Sequence, residues 1–212
     1  MSATGLETFA DKNEKGLQFP TTAVGGVRPT IHRALAKGSS APMQGSFSQP
    51  LSKQYRYTDS HLDDLLFCFR YFKEARNSLA HGGGMASQRL VDAASDYSAR
   101  TGQLGMTHAP ACLPLALGDR VQLTLRQVSG LGEAILRMMT TIDAHLAVSV
   151  YAERALLEAW KRQHGPAKHF LSADESKRSA HVANSVARLG FPKPLASDHI
   201  PQLLKQKNLV FF

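Results

Sequence analysis

Leu131, Ile135, Met138, Ile142, Leu146, Val150, Leu156 or Leu157, and Trp160 recur at intervals that keep them on roughly one side of an α-helix. This periodicity, sustained from Ser129 to about Arg162, predicts one helix ~50 Å long at ~1.5 Å per residue. Such an element can brace both a domain and a subunit contact. The neighbouring Met138-Met139 pair reads as core packing, because thioethers adapt to irregular apolar gaps.

Upstream, Leu62, Leu65, Leu66, Phe69, Phe72, Ala75 and Leu79 repeat the helical spacing from Thr58 or Ser60 onward. Ser60, with Asp63 three residues later, is the expected capping box, and Gly82-Gly83-Gly84 ends the helix. A second helix is expected from Met85 or Ser87 to Tyr97, using Leu90, Ala94 and Tyr97. Gly102, Gly105, Pro110, Pro114 and Gly118 then mark an irregular crossover. Within residues 119–127, Val121, Leu123 and Leu125 alternate with Gln122, Thr124 and Arg126, as a short strand or extended edge would.

After Gly165-Pro166, Ser172 and Glu175 predict the start of a helix running through Val182, Ala183 and Val186. Phe191-Pro192-Lys193-Pro194 forbids its continuation. A last helix is expected from Ser197 or Asp198, and the apolar tail Leu209-Val210-Phe211-Phe212 needs burial against the domain or a subunit. The first 50 residues are interrupted by Gly16, Pro20, Gly25-Gly26, Pro29, Gly38, Pro42, Gly45 and Pro50, with two helical turns expected at Pro29–Ala36. The expected division is an irregular N-terminal arm over residues 1–57 and a helical domain over 58–212. The fold class is all-α, with room for one short strand in an insertion.

A chain of 212 residues with 43% hydrophobic side chains can bury a core without disulfides or metal. Cys68 and Cys112 match no metal-ligand spacing and read as reduced, packed thiols. The charged residues within positions 1–20 do not form a signal peptide, and no run of about 18 apolar residues occurs, so a cytoplasmic protein without a membrane partner is expected. The formal charge of +8 draws polyanions to the surface and makes their binding salt-sensitive. A soluble basic surface without a nucleic-acid partner accounts for the charge equally well.

Chemistry concentrates where Arg76, Asn77 and His81 stand at the end of an otherwise core-forming helix. Asn77 and His81 are four apart and share a face, and the long Arg76 side chain can turn toward them. Gly82 and Gly83 remove side-chain bulk where a substrate backbone would approach, and Lys73 extends the basic surface. Packing, capping and solvation explain many such residues elsewhere: Gly82 also serves a helix stop, and Lys73 a solvated face. A helix C-terminus disfavours anions, so one copy of this group is electrostatically underpowered. Arg56 and His61 repeat the same Arg-to-His spacing by chance at the start of the helix. Asp59, His61, Asp63 and Asp64 fit no metal template, and Asp143 and His145 do not closely share a helical face. No metal or cofactor is expected.

The motif helix, Arg76-Asn77 followed by Leu79-Ala80-His81-Gly82, and the amphipathic helices around it resemble the HEPN superfamily. The resemblance is close over the motif helix and covers residues 58–210 only as a helical plan. It implies a HEPN-like helical bundle and a homodimer whose two motifs face one cleft. Many members are ribonucleases of toxin–antitoxin, CRISPR-associated or phage-defence systems. By that likeness Arg76 polarises the scissile phosphate of RNA, Asn77 orients it, and His81 transfers protons. The ribose 2′-OH attacks without metal, leaving a 2′,3′-cyclic phosphate and a 5′-OH. An antitoxin or defence-complex protein is a further partner the resemblance brings in. Inactive members are scaffolds, so an RNA-binding or assembly protein is the alternative. Gly82-Gly83-Gly84-Met85 occupies the stretch where some members carry a modifiable tyrosine, which argues against that form of silencing here.

Overall fold

The computed structural model describes Ala36, residues 38–165 and residues 167–212. Its helices are α1 (Ala41–Ser52), α2 (Leu62–His81), α3 (Gln88–Ser98), α4 (Leu125–Ala147), α5 (Val150–His164), α6 (Glu175–Arg188) and α7 (His199–Gln206). Two-residue strands β1 (His169–Phe170) and β2 (Val210–Phe211) pair in parallel, His169 opposite Val210 and Phe170 opposite Phe211. The described residues are therefore all-α apart from this short pair and two isolated bridges. The chain divides into two compact units, one holding described residues up to Tyr55 together with 142–212, the other residues 56–141.

In the unit of residues 56–141, α2 and α3 form a helical hairpin. Leu62, Leu65, Leu66, Cys68, Tyr71, Phe72 and Ala75 are buried on α2, and Leu90, Ala93, Ala94 and Tyr97 on α3. The Tyr71 and Tyr97 rings stack with centroids 5.5 Å apart. Tyr97 donates its buried hydroxyl to the Pro110 carbonyl, so the ring packs without leaving an orphan donor. Ser87 caps α3 by accepting the Leu90 N–H. The expected Ser60 cap is displaced: Ser60 lies within a 3₁₀ turn, Asp59–His61, and His61 is the N-cap of α2 with no side-chain cap bond.

The expected strand over residues 119–127 is also corrected. Among the described residues its extended pairing is confined to an isolated antiparallel bridge between Arg120 and Met85, and α4 begins at Leu125. The reason is a reciprocal cap. The Gln127 amide oxygen accepts the Thr124 N–H at 2.8 Å, and the Thr124 hydroxyl accepts the Gln127 N–H at 3.3 Å. Satisfying two end groups at once favours helix over the alternating pattern.

In the other unit, α1 buries Met43, Phe47 and Leu51 and packs on α7, which also touches α6. Within the expected arm, residues 41–52 are thus helical: Ser40 accepts the Met43 N–H, and proline sits in the first turn of α1, where no amide donor is needed. The helical turns expected at Pro29–Ala36 lie, but for helical Ala36, outside the described residues. The single long helix over 129–162 is two. Ser149 is extended, at φ −81° and ψ 158°, and its hydroxyl accepts the Ala152 N–H as the cap of α5. Gly38–Ser40 pairs at that break, through Val150 N–H to the Gly38 carbonyl and Ser40 N–H to the Val148 carbonyl.

Helix α6 starts later than Ser172 predicts, because Asp174 supplies the cap to the Lys177 N–H while the Ser172 hydroxyl accepts the Asp174 N–H. Of the C-terminal tail, Leu209 and Val210 are buried and Phe211 is half exposed. Arg178, itself buried, lies over the Phe212 ring and donates to Asp198 at 2.8 Å.

Candidate functional site

The last turn of α2 sits on the exposed side of a helix whose opposite side is core. Ala75 and Ser78 face inward, while Arg76, Leu79, Ala80, His81, Gly82 and Gly83 are exposed and Asn77 is half-buried. The Arg76 guanidinium donates to the Asn77 side-chain oxygen at 3.3 Å, which gathers these two polar groups at the surface. Neither Arg76 nor His81 has an ion-pair partner among the described residues. Lys73 is different: its ammonium lies 3.5 Å from the Glu74 carboxylate, so its charge is partly matched.

The two Arg-to-His repeats of the sequence separate in structure. Arg56 is held by Glu133 at 3.2 Å, and His61 serves as N-cap of α2 with its ring close against Gly105. Those residues have structural duties. Arg76 and His81 are exposed, and among the described residues neither side chain is tied to another element.

The glycine turn shapes the surface just past His81. The Ser78 carbonyl accepts both the Gly82 N–H at 2.9 Å and the Gly84 N–H at 3.0 Å, closing the helix end on itself. A Cβ on Gly82 would stand 2.9 Å from that same carbonyl oxygen, so any side chain would displace the turn. Gly83 and Gly84 adopt φ of +63° and +78°, and no heavy atom lies within 4 Å of where their Cβ atoms would be. The turn thus combines left-handed backbone with open space, a surface along which another backbone can lie.

Beyond Gly84 the chain is pinned to the crossover. Val121 donates to the Gly84 carbonyl at 2.8 Å, Ala86 to the Asp119 carbonyl at 2.7 Å, and Gly118 to the Ala86 carbonyl at 2.9 Å. This brings Arg120 next to the end of α2, a neighbour sequence reasoning missed. Its sequence signal is the extended character expected over residues 119–127, which does not say what it pairs with.

No family model, curated protein or solved structure matches this chain. Among the described residues no three His, Cys, Asp or Glu side chains converge as a metal ion requires. No helix there is long and apolar enough to cross a membrane. Cys68 and Cys112 are free thiols, and burial pushes them up to about 12 and about 11 respectively. Neither is an activated nucleophile at neutral pH.

Proposed function

We propose that the chain is a metal-independent, HEPN-like endoribonuclease, acting in the cytoplasm as part of a toxin or phage-defence system. The observation that carries this reading is that Arg76 and His81 stand exposed on one helix end with the half-buried Asn77 beside them, and that neither Arg76 nor His81 has an ion-pair partner among the described residues. Arg76 supplies a fixed positive charge where a phosphodiester gathers negative charge on its way to the transition state. Asn77, by bonding the guanidinium, orients it. His81 exchanges a proton with the ribose 2′-OH or with the leaving 5′-oxygen, a task suited to an imidazole near neutrality. One site holds one imidazole, so a homodimer in which two helix ends meet divides the base and acid steps between two copies of His81.

Product-end analysis tests the proposal directly. Wild-type protein in excess chelator is expected to leave 2′,3′-cyclic phosphate and 5′-OH ends on RNA. His81→Ala, with an unchanged helical spectrum, is expected to cleave about 10²–10⁴-fold more slowly. RNA left intact across a broad substrate panel, with binding indifferent to the His81 substitution, overturns the enzymatic reading.

A second reading, an inactive RNA-binding or assembly protein, draws on a different observation. Leu125, Val128, Leu136 and Met139 are exposed along α4, at 82, 48, 46 and 54%. Apolar side chains aligned on one helix face in this way favour a protein contact. Binding without cleavage in the same assay distinguishes it.

A further inference from the structure

We propose that Arg120 is a further RNA-contacting cation of the Arg76–His81 site, gripping a backbone phosphate beside the one Arg76 engages. The inference rests on the reading of that site as an RNA site and adds a residue that the motif helix does not contain.

Backbone geometry sets where Arg120 stands. The Val121-to-Gly84 and Ala86-to-Asp119 hydrogen bonds flank Met85 and Arg120 symmetrically. That pattern defines a non-hydrogen-bonded antiparallel pair, whose Cα atoms lie ~4.5 Å apart with side chains on the same face. Burial says which face. Ala86 is 3% and Val121 5% exposed, whereas Met85 is 48% exposed and Arg120 is also exposed. Alternation along extended chain therefore turns Arg120 outward with Met85. The pair begins one residue after Gly84, whose N–H is bonded to Ser78 in the last turn of α2. That turn also carries Asn77 and His81.

Charge distinguishes Arg120 from four other arginines of its unit. Arg56, Arg70, Arg100 and Arg137 are each paired with a carboxylate. Arg120 has no such partner among the described residues, and the adjacent Asp119 carboxylate is occupied by the Ala116 N–H at 2.8 Å. An arginine left unmatched beside a helix C-terminus offsets the partial negative charge that otherwise repels phosphate there. The turn that links the end of α2 to Met85 is itself open at Gly83 and Gly84, where no heavy atom lies within 4 Å of a Cβ position.

The test is binding of a short 2′-O-methylated RNA oligonucleotide, which has no 2′-OH to attack, measured by fluorescence anisotropy over a salt series. Arg120→Ala is expected to weaken binding about tenfold and to lower the salt slope by roughly 0.7–0.9, one phosphate's share. Arg120→Lys keeps the charge and is expected to stay within about threefold of wild type. Arg154→Ala, an exposed arginine of the other unit, controls for net charge. If Arg76→Ala weakens binding while Arg120→Ala behaves like Arg154→Ala, the role of Arg120 is overturned and the motif site stands. If the wild-type protein does not bind, or Arg76→Ala and His81→Ala bind as wild type does, the RNA reading itself fails and Arg120 with it.

Discussion

Trp160 is the sole tryptophan of the chain and is fully buried, and its ring centroid lies 4.4 Å from that of His164. Burial disfavours the charged imidazole of His164, and the imidazoles of His169 and His181 act in the same direction. The folded chain therefore binds this proton less readily than the unfolded chain, whose histidines titrate near ~6.5. The stability tied to neutral His164 is present above that value and is lost as pH falls through the lower, folded one. Denaturation midpoints followed by Trp160 emission are expected to drop as pH falls from about 7 to about 5, and His164→Gln is expected to flatten that drop. Equal slopes for the two proteins would remove His164 as the cause. No feature of the sequence pairs His164 with Trp160 beyond their spacing of one helical turn, and the His169 and His181 neighbours come only from folding.

At the level of elements, helix ends decided what periodicity left open. Residues 129–162 carry an apolar stripe straight through Ser149, yet Ser149 turns extended and caps a new helix. The stripe reports which side is apolar and is blind to a break that preserves the phase. Thr124 and Gln127 likewise overrule an alternating pattern by satisfying each other's backbone groups. Thr124→Ala removes one half of that exchange and is expected to cost about 1 kcal/mol, read as a lower midpoint in urea denaturation. A variant as stable as wild type would show that α4 is set by its packing alone. Pro42 and Pro50 mark interruption in the sequence, but the first falls in the first turn of α1, where a missing donor costs little, and the second lies inside α1, where the Ser46 carbonyl it cannot bond accepts the Leu195 N–H at 2.9 Å instead.

For the molecule as a whole, an excess of 25 basic over 17 acidic side chains sets a long-range attraction for polyanions without placing any of them. Placement comes from the end of α2 and the crossover pinned to it. A single copy of this site has one Arg76 and one His81, so the proposed reaction calls for two chains. Mixing Arg76→Ala with His81→Ala subunits is expected to restore part of the cleavage that each lacks alone, and light scattering is expected to report a dimer. Full activity from a monomer would reject the shared site while leaving the helix-end chemistry in place.

Local rules alone established that the chain is helical, where α2 and α3 run, that three glycines end α2, and which polar residues share its last turn, because each depends on spacing within a few residues. Only the tertiary structure decided that Arg56 is tied to Glu133 while Arg76 is left to solvent, and that Arg120 stands beside Met85. Those outcomes hinge on contacts between segments far apart in the chain, chosen by burial and backbone hydrogen bonding, and no local period records them.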